Sequence, residues 1–186
     1  ALGESKDTLH TVVVILADKE EIGSEGPTGM QCEIFSDLLD FLAASQNKPA
    51  SLVRLNSKCL SADVTAGYDP NFAKRNSSLV ACGTALCKFT GAGGKSGSND
   101  ARAELVGEVR RAFDKAGVNW QMAELGKVDA GGGGTVAKYI SKLNIDTIDI
   151  GVPVISMHAP YEVSSKADIY EAVKGYLAFL NWNGKF

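Results

Sequence analysis

Apolar runs of strand length alternate along this chain with segments whose apolar residues recur at helical spacing, and that alternation allows few folds. The runs lie at residues 8–17, 79–89, 119–125, 147–151 and 153–157. Between them, Met30, Ile34, Leu38 and Leu42 share one helical face. Leu105, Val109, Ala112, Phe113 and Ala116 share another, which stops at Gly117. Val136, Ile140 and Leu143 mark a third helix; Ile169, Val173, Tyr176, Leu177 and Leu180 mark a fourth, capped by Ser165 with Asp168 three residues on. The order predicts an α/β domain of three layers, with a mainly parallel central sheet covered by helices on both faces. A chain of 186 residues is ample for one such core. In an open sheet of this kind ligands gather at the carboxyl ends of strands, so chemistry is sought there.

The first run, Val12 to Leu16, leads into Ala17-Asp18-Lys19-Glu20-Glu21-Ile22-Gly23-Ser24. Successive side chains of a strand point to opposite sides, and the change from strand to loop can turn two adjacent acids into one cleft in different roles. One can hold a metal while the other takes a proton. The blander reading is a solvated acidic turn. Thr28 and Gln31 are spaced as a capping box for the helix that follows.

Two further residues share this placement. Asp63, in Ser61-Ala62-Asp63-Val64, closes a short apolar segment ahead of the turn-forming Tyr68-Asp69-Pro70-Asn71. His158, one of two histidines, follows the buried-looking Gly151-Val152-Pro153-Val154-Ile155-Ser156-Met157 and precedes Pro160. A lone histidine there is more often structural; together with Glu21 and Asp63 it completes an O/O/N set suited to divalent zinc, cobalt or manganese.

These blocks carry a resemblance. In order along the chain, Asp18-Lys19-Glu20-Glu21-Ile22-Gly23-Ser24, Ser61-Ala62-Asp63-Val64, Lys88-Phe89-Thr90-Gly91 with Lys95-Ser96-Gly97, and Pro153-Val154-Ile155-Ser156-Met157-His158-Ala159-Pro160-Tyr161-Glu162 resemble the C-terminal part of the aminopeptidase I/aspartyl aminopeptidase family of di-zinc metallopeptidases. The resemblance implies a zinc-peptidase-like fold, incomplete at its N-terminus, and an enzyme that removes single N-terminal residues from peptides. It makes Glu20 the general base, which takes a proton from a water held between two metal ions. It makes Glu21, Asp63 and His158 metal ligands, with Glu21 and His158 on one ion and Asp63 on the other. Two Zn2+ per complete site are implied, with Co2+ or Mn2+ as substitutes.

The same comparison implies what lies outside the chain. Family members carry a histidine and a metal-bridging aspartate upstream of the acid pair, and an inserted domain that helps build a homo-oligomer, commonly a dodecamer. Residues 1–186 are therefore read as the C-terminal part of a catalytic domain, inactive without the N-terminal half that is its first partner. No histidine follows Asp63 in Asp63-Val64-Thr65-Ala66-Gly67-Tyr68-Asp69, a departure from the eukaryotic aspartyl branch that leaves neutral and acidic N-terminal residues both open. Two other readings stand beside this one: a related metal-dependent deacylase or dipeptidase, and a noncatalytic α/β module.

Composition excludes other classes. A net charge of −3 offers no basic footprint for nucleic acid. No stretch approaches a membrane helix, and no targeting signal is visible. Cys32, Cys59, Cys82 and Cys87 lack metal-knuckle spacing and read as reduced thiols of a cytoplasmic protein. Gly91-Ala92-Gly93-Gly94-Lys95-Ser96-Gly97 ends like a phosphate loop, but the glycine that spacing requires is Phe89, so the segment reads instead as a substrate-side loop with Lys95 at its tip. Asp129 to Thr135 is either a tight connection into a helix or a set of bare amides facing a substrate.

Overall fold

The stretch Asp-Thr-Ile-Asp-Ile-Gly-Val-Pro-Val-Ile is dominated by β-branched residues, and it forms the longest strand of the protein. The computed structural model describes residues 8–73, 77–93, 96–125 and 132–183. In chain order the elements are α1 (Ile34–Ser45), α2 (Ala50–Asn56), β1 (Lys58–Ala66), β2 (Thr84–Cys87), β3 (Phe89–Ala92), β4 (Ser96–Asp100), α3 (Ala103–Ala116), β5 (Trp120–Ala123), α4 (Ala137–Ser141), β6 (Asp146–Ile155), β7 (Val163–Ser164) and α5 (Lys166–Leu180). Short 3-10 turns occupy Glu20–Ile22 and Pro70–Phe72.

The main sheet has the order β1-β6-β2-β5, with β7 added to the end of β6. Parallel pairing joins β1 to β6 and β2 to β5; β2 and β7 run antiparallel to β6. The mainly parallel sheet read from the sequence is thus present, and β3 and β4 form a separate two-stranded hairpin. One face of the sheet buries Leu86, Ile148 and Ile150 against Leu105, Val109 and Phe113 of α3, with Tyr176 and Phe179 of α5 packed alongside. On the other side Leu39 of α1 meets Ile140 of α4 and Ile145, with Cys59 of β1 at the margin. Alternation along the strands puts Ser61 and Asp63 of β1 and Asp149 of β6 on this second, more polar side.

Both long helices read from periodicity end as expected. α3 stops at Gly117, whose left-handed backbone (φ 65°) returns its N–H to Asp114, and Ser165 caps α5 by accepting from the Ala167 N–H at 3.1 Å.

Several expectations need correction. Residues 8–17 form no strand; the described backbone bends at Leu9 and His10 and joins no sheet, and Leu16 is 93 % exposed. The run expected at 79–89 divides into a turn, β2 and the start of β3. The two runs expected at 147–151 and 153–157 are one strand. Gly151 does not break it but lets β1 approach, since a Cβ there would stand 2.9 Å from the Thr65 nitrogen. Pro153 is tolerated because pairing with β2 spans only Asp149 to Gly151, so its missing N–H removes no bond on that side. On α1 the buried residues are Leu39 and Ala43, not the expected stripe: Ile34 is 62 % exposed. No capping box forms either. Thr28 donates to Asp18 (2.7 Å), and Gln31 donates to the Gly23 carbonyl (2.8 Å).

Candidate metal centre

The acid pair does not end a strand. It occupies a single 3-10 turn bracketed by residues in the left-handed region, Lys19 (φ 62°) before it and Gly23 (φ 93°) and Ser24 (φ 59°) after it. Ser24 is buried, and its N–H closes the turn on the Lys19 carbonyl at 2.7 Å. Asp18 braces the entrance: the Thr28 hydroxyl and then the Lys19 ammonium hold its carboxyl below the usual range. Non-glycine residues at positive φ cost energy and collect where surrounding structure imposes them, often at functional sites. The result is that Glu20 is partly buried while Glu21 projects with 75 % of its side chain exposed.

His158 is presented in the same manner. Beyond β6 the chain reverses through Ser156 (φ 62°) and His158 itself (φ 67°), and the Glu162 carboxylate accepts from the His158 N–H at 2.5 Å. This brings His158 Nδ1 to 3.9 Å from Glu21 Oε2. That separation is too long for a hydrogen bond, so the two groups face one another across a gap. Asp63 lies inside β1, three residues before its end rather than at the terminus expected, and its own carboxylate accepts from the Val64 N–H at 2.7 Å.

The four predicted residues interact electrostatically. Burial raises the Asp63 pKa, and repulsion from Glu21 adds to this against the pull of His158. Burial also raises that of Glu20, with Asp63 and Glu21 repelling it while Lys138 and His158 oppose. Carboxylates crowded in this way are short of positive charge, which is the condition a bound dication relieves. Imidazole and carboxylate donors suit zinc. Among the described residues, however, no three His, Cys, Asp or Glu side chains close into one metal-holding group. The donors fit a divalent ion in kind, and Glu21 and His158 are the two expected ligands that the structure places face to face.

Sequence reasoning missed Asp149, which is 3 % exposed on the strand next to Asp63. Thr90 Oγ1 donates to its Oδ2 at 3.3 Å and also lies 3.4 Å from Thr135 Oγ1, so this carboxyl ties the β3 hairpin to the approach to α4. Burial pushes Asp149 up to about 6, against the hydroxyls of Ser61, Thr135 and Thr90. The signal available in the sequence was a charge inside an otherwise apolar strand. Lys138, whose charge acts on Glu20, was missed too. Of the two glycine-rich segments, Gly94 and Lys95 of the first and Asp129 to Gly131 of the second lie outside the described residues.

Comparison with known proteins gives consistent matches. The family described as aminopeptidase I zinc metalloprotease (M18) matches residues 2–180. A probable M18 family aminopeptidase 1 from Clostridium acetobutylicum is 47 % identical over 189 aligned positions, covering 97 % of this chain and 41 % of the relative. The crystal structure of aminopeptidase I from Clostridium acetobutylicum superposes with a TM-score of 0.79 at 49 % identity, covering 89 % of this chain and 37 % of that one. The S. cerevisiae mApe1 dodecamer, at 24 % identity and a TM-score of 0.70, shares the fold over 88 % of this chain and 36 % of its own. The chain thus spans about two-fifths of the length of the relatives it matches.

Proposed function

The chain belongs to the aminopeptidase I zinc metalloprotease (M18) family, and we propose that the protein containing it is a zinc aminopeptidase that removes single N-terminal residues from peptides. The observation that carries this reading is the meeting of Glu21 and His158 across 3.9 Å with Glu20 in the same strained turn. Glu21 and His158 would hold one ion and Asp63 the second of two. A bridging aspartate and a further histidine would come from an upstream segment of the same protein. When bound, zinc supplies the Lewis acidity that brings the proton of a water within reach of a carboxylate near neutral pH.

The residues of this chain do the rest. Glu20 accepts the proton of the attacking water and delivers it to the departing amine. Its partial burial beside Asp63 and Glu21 makes it a stronger base than a solvated glutamate. The Glu20–Ile22 turn fixes the two acids in separate roles: the exposed Glu21 is left to bind while Glu20 handles protons. A peptide amine would enter on the open side of Glu21 and His158, so cleavage would proceed one residue at a time. The working protein is proposed to be a cytoplasmic homo-oligomer, of the dodecameric kind that mApe1 forms, and residues 1–186 alone are proposed to be inactive.

The test measures bound metal and hydrolysis of an aminoacyl chromogenic amide, for this chain alone and for the protein carrying its upstream segment. About two ions and turnover in the longer protein only are expected. A longer protein that folds normally, binds no zinc, cobalt or manganese and cleaves nothing overturns the proposal. Turnover of N-acyl amino acids in place of aminoacyl amides would make it a deacylase instead.

A further inference from the structure

The loop that presents His158 is tied at both ends. The strand β7 (Val163–Ser164) returns antiparallel to the end of β6, with Ile155 opposite Val163, so one ladder closes the base of residues 156–162. Glu162 stands directly before that ladder resumes, and its carboxylate crosses the loop to accept from the His158 N–H at 2.5 Å. Inside the loop the Ala159 N–H donates to the Ser156 carbonyl at 2.9 Å, and Ser156 and His158 both lie in the left-handed region. A non-glycine residue persists in that conformation only where the surrounding structure imposes it. The Glu162 bond is of a kind that can impose it, because a carboxylate on a backbone N–H is roughly twice as strong an acceptor as a neutral group. It grips the main chain and not the ring. The imidazole is left free, with Nδ1 3.9 Å from Glu21 Oε2.

Glu162 lies in the same short block as His158, yet no step of the proposed chemistry employs it. An exposed ligand carried on a loop binds an ion tightly only if its direction is fixed beforehand; otherwise binding must also order the loop. Groups that orient a ligand without touching the ion meet this need in metal sites generally. We propose that Glu162 is a positioning residue for His158: its carboxylate fixes the His158 backbone so that the imidazole faces Glu21 before a divalent ion arrives. The inference rests on the zinc aminopeptidase reading and deepens it. The effect of Glu162 on the ion passes through His158 alone, so it disappears when His158 is removed.

The experiment uses the protein carrying its upstream segment, as wild type, Glu162→Ala, Glu162→Gln, His158→Ala and the Glu162→Ala/His158→Ala double variant. Competition with a chromogenic chelator reads zinc affinity, and the visible spectrum of the cobalt-loaded forms reads ligand geometry. Glu162→Ala is expected to weaken zinc binding about tenfold or more and to alter the cobalt bands. Glu162→Gln keeps an acceptor oxygen and should restore much of the affinity. On the His158→Ala background Glu162→Ala should cost little more, whereas a merely structural effect would add in full. Unchanged affinity in Glu162→Ala, or full additivity with His158→Ala, overturns the proposal. If Glu162→Ala does not fold, Glu162→Asp, one methylene short of the bond, takes its place under the same two criteria. Zinc binding and hydrolysis of a leucyl amide by wild type judge the aminopeptidase reading by itself. Absence of both there overturns reading and inference together; a failure confined to the variants overturns the inference alone.

Discussion

Glu21 Oε2 and His158 Nδ1 face each other at 3.9 Å from two loops that the sequence separates by most of the chain. Each is held by left-handed backbone on its own loop, and each is largely exposed, at 75 % and 66 %. Removing either donor should therefore affect metal binding more than folding. His158→Ala and Glu21→Ala are each expected to weaken zinc affinity by at least about tenfold to hundredfold, the range found for groups that merely support ligands. Competition with a chromogenic chelator reads this, and unchanged affinity in both variants would remove these residues from the ligand set.

Glu20→Gln keeps the shape of the acidic turn and deletes the proton acceptor. Turnover should fall by roughly 10²- to 10⁴-fold, the usual contribution of a general base, with metal content unchanged. Steady-state kinetics beside metal analysis of the same sample checks both halves. Full activity in Glu20→Gln would transfer the proton-accepting role to another group.

Asp168 is fully buried at the start of α5, and its two oxygens accept from the Ala81 and Gly83 N–H groups at 2.7 Å each. It thereby fixes the turn that delivers the chain into β2. Asp168→Ala strands two backbone donors and should cost about 3 kcal/mol; Asp168→Asn, which keeps one acceptor, should cost less. Chemical denaturation measures the difference, and equal losses would mean that one retained acceptor contributes nothing and that the turn needs both carboxylate oxygens.

Asp149 gives the metal-free protein a pH signature of definite sign. Its folded pKa of about 6 lies above the ordinary 3.8. Between those values the unfolded chain has released a proton that the folded protein still binds, so stability falls as pH rises through the window. The contribution is fully present below pH 3.8 and is lost by about pH 6. The size is about 3 kcal/mol. Denaturation at intervals across this window should show the decline in wild type and a flatter profile in Asp149→Asn; identical profiles would mean that Asp149 titrates normally.

How much was legible in advance follows from the range of the forces involved. The helices α3 and α5 were readable because stripe, cap and stop are local: Leu105, Val109 and Phe113 share a face, Gly117 ends it, and Ser165 opens the next. The helix α1 misled because it is apolar on more than one side, so the choice of Leu39 over Leu38 as the buried residue lay with Ile140 and Ile145 on other elements. Residues 8–17 carry the composition of a strand, but a strand also needs a neighbour to accept its hydrogen bonds, and none pairs with them among the described residues.

The sequence by itself determined the alternating α/β architecture, the identity of Glu20, Glu21, Asp63 and His158 as candidates, and the family resemblance, since residue order and periodicity are properties of the chain. Only the tertiary structure decided that Glu21 meets His158, that Asp149 is buried beneath the site and that Lys138 passes between Gly97 and Gly134. Those relations depend on distances between segments far apart in sequence, and such distances are set by how the sheet, the hairpin and the helices pack, which no local pattern encodes.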